Sequence, residues 1–100
     1  MKGKIMDYKH VNGRDRGDVK LYAVSTCVWC RKTKRLLEEL DVAYDYVDVD
    51  ELETEAKNEV KDIVNKWKER ISYPLLVINN DHCIPNFDED MIRKEFASSR

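Results

Sequence analysis

Residues 18–49 carry two strand-like segments with an amphipathic helical segment between them, and this run constrains the fold more than any other part of the chain. Residues 18–24 (DVKLYAV) alternate apolar and polar side chains and then become wholly apolar, the pattern of a largely buried strand. From residue 28 to residue 40, Thr33, Leu36, Leu37 and Leu40 recur at helical spacing, with Arg31, Lys32, Lys34 and Arg35 on other faces. Asp41 ends that segment, and residues 44–49 (YDYVDV) alternate again as a second strand. A strand–helix–strand run of this length implies a parallel pair joined by a right-handed crossover.

The rest of the chain extends the pattern. Residues 51–67 read as a long helix with Leu52, Ala56, Val60, Ile63 and Trp67 along one stripe, which puts Trp67 in the core. Pro74 cannot lie inside that helix, and Tyr73 before it is biased towards extended geometry. Residues 75–78 form a third strand. Asn79, Asn80 and Asp81 make a tight polar turn into a fourth at 82–84. Asp88 suits the cap of a last helix with Met91, Ile92 and Phe96 facing inward. The fold class is therefore α/β, a four-stranded mixed sheet in the order β-α-β-α-β-β-α flanked by helices. Residues 18–100 make the domain, and residues 1–17 are an N-terminal extension in which 5–11 form either an extra edge strand or a tail.

Composition excludes several classes. One hundred residues fit a single domain, and 42% hydrophobic residues suffice for a core without disulfide staples. A net charge of −2 with both signs interspersed gives no basis for nucleic acid or an anionic membrane as partner. No apolar run is long enough to span a bilayer, and the N-terminus has no apolar core of a secretory signal. A reducing, cytoplasmic setting is the expectation, with a monomer as the default. Three cysteines, an odd number, also argue against a secreted disulfide framework.

Two of those cysteines carry the chemistry. Cys27 and Cys30 form a C-x-x-C at the junction of the first strand and the first helix, after Ser25 and Thr26, whose hydroxyls suit a helix cap. A sulfur at a helix start meets unpaired amide donors and the positive end of the helix dipole, and both favour the thiolate, the reactive form. Arg31, Lys32 and Lys34 add positive charge in the first turns. Cys30 lies one turn further on, near enough to close a disulfide, so Cys27 can attack a substrate disulfide and Cys30 resolve the mixed disulfide. The pair is also compatible with half of a zinc site, for which His10, His82 and Cys83 are the remaining donors, or with structural cysteines. Adjacent His82 and Cys83 point to opposite faces of a strand, which counts against zinc, and the strand-to-helix placement favours redox work. No cofactor is implied.

Three further features stand near this pair. Pro74, between a long helix and a strand, suits a cis peptide beside the first helix start. Trp29, between the cysteines, is placed to pack against a partner around the disulfide. The basic run 31–35 is a solvated helix face that also attracts acidic partners, which predicts reduction rates sensitive to salt. Cys83 reads as a small, buried or half-buried apolar residue, and the acidic run 45–55 as solvated surface.

Taken in order, YAVSTCVWC, YDYVDVDE, SYPLLVI and NFDEDMI over residues 18–97 resemble the glutaredoxins and the glutaredoxin-like, NrdH-type redoxins that donate electrons to ribonucleotide reductase, above all the archaeal type. The resemblance implies a thioredoxin fold, Cys27 as exposed nucleophile, Cys30 as resolving thiol, and a cis Pro74. It also implies that Tyr73 offers backbone groups to an extended substrate. Protein disulfides are the implied substrates, re-reduced by a flavin- or ferredoxin-dependent reductase or by a low-molecular-weight thiol. An iron–sulfur cluster carried between monomers through Cys27 is the alternative within the same family. The departures concern glutathione rather than disulfide chemistry. Val24 stands where these proteins usually have lysine, Val28 where proline is common, Ser72-Tyr73-Pro74 for Thr-Val-Pro, and Pro85-Asn86-Phe87 in the region of a Gly-Gly turn, with Asp88 as a remaining acceptor.

Overall fold

The computed structural model describes residues 8–67 and 73–97. Five strands make one mixed sheet: β1 (Lys9–Val11), β2 (Val19–Ala23), β3 (Tyr44–Asp48), β4 (Leu75–Ile78) and β5 (His82–Pro85), in the spatial order β1-β3-β2-β4-β5. β2 and β3 run parallel, as a helical crossover requires, while β1 on β3, β4 on β2 and β5 on β4 are antiparallel. The helices are α1 (Val28–Glu39), α2 (Thr54–Trp67) and α3 (Glu89–Ala97).

Strand alternation divides the core in two. Val19, Leu21 and Ala23 of β2, with Leu76 and Ile78 of β4, pack against Cys30, Leu36 and Leu37 of α1 and Ile92 and Phe96 of α3. Their neighbours Tyr22, Leu75 and Val77 point the other way, against Val60 and Val64 of α2. The central strands are thus covered on both faces, which explains why β4 reads as an unbroken apolar run.

The N-terminal segment supplies the fifth strand. β1 pairs with β3 through Lys9–Tyr46, His10–Asp45 and Val11–Tyr44. Beyond it, Gly13 passes so close to the 42–43 backbone that a Cβ would lie 2.7 Å from Ala43 N, and Arg14 N and Ala43 N close the contact with bonds to Asp41 O and Arg14 O. Of the expected edge strand at 5–11, residues 5–7 lie outside the described residues.

Four local expectations are corrected. The second helix begins at Thr54 and not at Glu51, because Val49–Glu51 forms a separate 3-10 turn and Leu52 is extended. Its buried stripe is Ala56, Val60 and Val64, with Ile63 and Trp67 half-buried at the margin, so Trp67 edges the core without entering it. Ile92 and Phe96 are buried on α3, but Met91 is 47% exposed, since it lies about a quarter turn away from that stripe. Asp88 caps α3 as expected, its Oδ1 accepting from Met91 N at 3.1 Å. The cap of α1 is neither Ser25 nor Thr26: it is Cys27.

Candidate active site at the start of the first helix

β2 ends at Ala23, and Cys27 N bonds back to Val24 O, turning the chain into α1. Cys27 is extended (φ −86°, ψ 121°), and its Sγ accepts the Cys30 amide at 3.1 Å, in the role a serine or aspartate oxygen plays at most helix starts. Ser25 is occupied elsewhere, since its amide and hydroxyl both donate to Asp50 of the 3-10 turn. Those two bonds hold the Asp50 carboxyl below the usual carboxylate range.

The two thiols sit in unlike surroundings. Cys27 is half-buried, and Cys30 is fully buried in the α1 face of the core; both are free thiols. Burial pushes the Cys30 thiol up to about 12, reinforced by its bond with Cys27 and opposed by the Val24 backbone. Lys34, one turn beyond Cys30, contributes positive charge to it from a firm position. Its Nζ is 3.1 Å from Asp48 Oδ1 and 4.2 Å from the Tyr46 ring centroid.

Across from the helix start, the Tyr73–Pro74 peptide is cis, as the resemblance implied. Pro74 is buried, and its carbonyl accepts Asn86 N at 2.8 Å, so the loop after β5 is tied to the loop before β4. Asn86 has φ +61°, a left-handed turn that asparagine tolerates better than most residues. Past it, Phe87 stacks on Trp29 with ring centroids 5.8 Å apart and planes 25° off parallel. Trp29, Tyr73, Pro74, Asn86 and Phe87 line a cavity of about 270 Å³. Trp29 remains 54% exposed, and Val28 beside it 56%.

Trp29, Tyr73 and Pro74 line one cavity, and Cys27 and Tyr73 both pack against the core that holds Cys30. The fold does not bring the zinc donors to the two cysteines. Cys83 packs on the α2 face of the sheet, opposite the face that holds Cys27 and Cys30. His82 lies between Asp81 and Glu95, and among the described residues no three His, Cys, Asp or Glu side chains converge on a possible metal site. Phe87, Asn86 and Asp48 are site neighbours that the sequence alone does not point out, and Lys34, legible there only as positive charge near the helix start, is held by Asp48. The one signal for Phe87 and Asn86 was their place where a Gly-Gly turn is usual.

Known proteins share this fold. The glutaredoxin family model matches residues 19–83. Among solved structures, the glutaredoxin from Methanosarcina mazei Go1 is 45% identical, with a TM-score of 0.83 over 87% of this chain and 84% of that one. The methanoredoxin of Methanosarcina acetivorans is 38% identical, with a TM-score of 0.85 over 94% and 98%. The glutaredoxin (grx-1) from Archaeoglobus fulgidus, 24% identical, shares the fold, with a TM-score of 0.75 over 83% and 89%. No curated protein matches the chain significantly. With a C-x-x-C at the head of α1 and the glutaredoxin model spanning residues 19–83, the chain belongs to the glutaredoxin family, thiol–disulfide oxidoreductases of the thioredoxin superfamily.

Proposed function

We propose that the chain is a dithiol reductase of protein disulfides, with Cys27 as nucleophile and Cys30 as resolving thiol. The observation that carries this reading is the asymmetry of the pair: Cys27 Sγ at the helix cap accepting the Cys30 amide at 3.1 Å, and Cys30 buried and protonated behind it.

Each step follows from that arrangement. Cys27 thiolate attacks one sulfur of the substrate disulfide, that S–S bond breaks, and the other sulfur leaves as a thiolate. The Cys30 amide and the start of α1 hold the negative charge on Cys27 before attack. Cys30 then loses its proton to the departing thiolate or to water and attacks Cys27 Sγ. The Cys27–Cys30 disulfide forms, and the second substrate sulfur is released, so two electrons have passed to the substrate. Keeping Cys30 protonated until then prevents its competing for the incoming disulfide. Trp29, Tyr73 and Pro74 are the substrate contacts, and the disulfide of ribonucleotide reductase is a fitting target. A reductase or a small thiol restores the dithiol. Residues 18–100 are the working domain, acting as a cytoplasmic monomer, and residues 1–17 extend it. Among the described residues, no helix is long and apolar enough to cross a membrane.

The test is an anaerobic redox titration followed by alkylation and mass analysis of each cysteine. One two-electron transition linking Cys27 to Cys30, with Cys83 still alkylatable, is expected. A midpoint of about −270 mV fits a reductase as donor, and one of about −200 to −230 mV fits small thiols. If no Cys27–Cys30 disulfide forms at any potential, the mechanism is wrong.

A further inference from the structure

The cavity at Trp29, the residue between the two cysteines, is walled by aromatic rings and shares Phe87 with a second cavity that carries positive charge. Trp29 and Phe87 form one wall, stacked at 5.8 Å, and Tyr73 and Pro74 form another. The Asn86 amide on Pro74 O holds the two loops at a set separation. At about 270 Å³ the space is small for a drug-sized ligand, yet a cavity of about 150 Å³ already takes up benzene, so one apolar side chain with its backbone fits.

Charge lies next to it. Phe87 also borders a second, open cavity of about 230 Å³, lined in part by Lys32 and Arg35. There Arg93 binds both Glu39 and Glu89, whereas Lys32 and Arg35 form no ion pair among the described residues. The Lys32 ammonium stands 5.0 Å from the Trp29 ring centroid. An occupant that crosses from the first cavity to the second therefore passes from apolar walls to positive charge.

From these contacts we infer that Phe87, with Trp29, selects protein segments in which an apolar residue adjoins the disulfide cysteine and an acidic residue follows on the Lys32 side. This rests on the proposed disulfide reductase activity and names its substrate class. The apolar side chain fills the Trp29–Phe87–Pro74 slot while Cys27 attacks the neighbouring sulfur, and the carboxylate meets Lys32. A serine in the slot leaves the rings facing water, and a lysine meets like charge.

The test uses the reduced full chain and short peptides whose single cysteine is linked to 2-nitro-5-thiobenzoate. Attack by Cys27 on the peptide sulfur expels the coloured thiolate. Cys30 then attacks Cys27 Sγ and frees the peptide thiolate. Leucine beside the cysteine is expected to react at least about tenfold faster than serine, the discrimination an apolar pocket typically supplies. Glutamate on the far side should outrun lysine. In Phe87→Ser the leucine-to-serine ratio should fall towards one, and in Lys32→Glu the charge preference should invert. The wild-type ratios need no variant to fold. Equal rates for leucine and serine peptides, an unchanged ratio in folded Phe87→Ser, or faster reaction of the glutathione mixed disulfide than of every peptide overturns the inference and leaves the reductase reading standing. Failure to release the chromophore from any disulfide overturns both.

Discussion

The Lys34–Asp48 pair offers a quantitative test of how the helix start is supported. The two side chains are only 21% and 9% exposed, and Lys34 Nζ lies 3.1 Å from Asp48 Oδ1. Lys34→Met keeps the apolar stem against Tyr46 but removes the ammonium, leaving a nearly buried carboxylate without its counter-charge. Breaking a fully buried pair costs about 3–5 kcal/mol. Some water still reaches Lys34, so about 2–3 kcal/mol is expected here. At a urea slope of about 1.5 kcal/mol/M that loss lowers the unfolding midpoint by about 1.3–2 M with the slope unchanged. Asp48→Asn should cost less, about 1–2 kcal/mol, because the flexible lysine can turn its charge to water. In the double variant about 1–2 kcal/mol of the summed loss should return, within the usual coupling of contacting groups. The ammonium also lowers the Cys30 thiol. Its loss should slow resolution of a trapped mixed disulfide more than it slows the first attack by Cys27. A single-variant cost below about 0.5 kcal/mol with strict additivity in the cycle would refute the argument.

Other perturbations follow from the same contacts. Iodoacetamide at neutral pH should modify Cys27 and spare Cys30, which is buried and holds its proton to about 12; equal labelling of both in the native protein contradicts this. Tyr8, Tyr22, Tyr44 and Tyr73 all have phenols raised chiefly by burial. The folded chain keeps those protons more tightly than the unfolded one, so their contribution is intact below about pH 10 and lost as pH climbs beyond it. Phenolate absorbance at 295 nm should then rise together with loss of near-ultraviolet dichroism; phenolate forming in a protein that stays folded would show the burial argument to be wrong. His82 is raised by its bond to Asp81 and then by its bond to Glu95. Its contribution is complete below about pH 6.5 and disappears as pH rises through the raised folded value. The stability gap between wild type and His82→Gln should accordingly close on going from acid to mildly alkaline buffer, and a gap that widens would have the sign reversed.

Much of this molecule is written in local pattern. Two-residue alternation in 18–24 and 44–49, an apolar stripe at helical spacing after Cys27, and the Asn79-Asn80 turn between β4 and β5 each reflect constraints within a few residues, so the element order was legible before any packing was known. The placement of Cys27 and Cys30 at a strand-to-helix junction was legible for the same reason. Periodicity does not say where an element's margin meets another element. Hence periodicity puts Met91 in the core, places Ile63 and Trp67 and not Val64 on the stripe of α2, and starts that helix at Glu51, where Asp50 is instead engaged with Ser25. Competition among polar groups also lay beyond reach: Ser25 is the better capping residue by type, but its bonds to Asp50 leave the cap to Cys27. Most of what shapes the region around the thiols depends on residues far apart in the chain: Trp29 with Phe87, Pro74 with Asn86, Lys34 with Asp48, and β1 with β3. Such pairs form only when the sheet order brings distant segments side by side, because their energies come from burial and charge compensation between elements and not from the preferences of either segment alone.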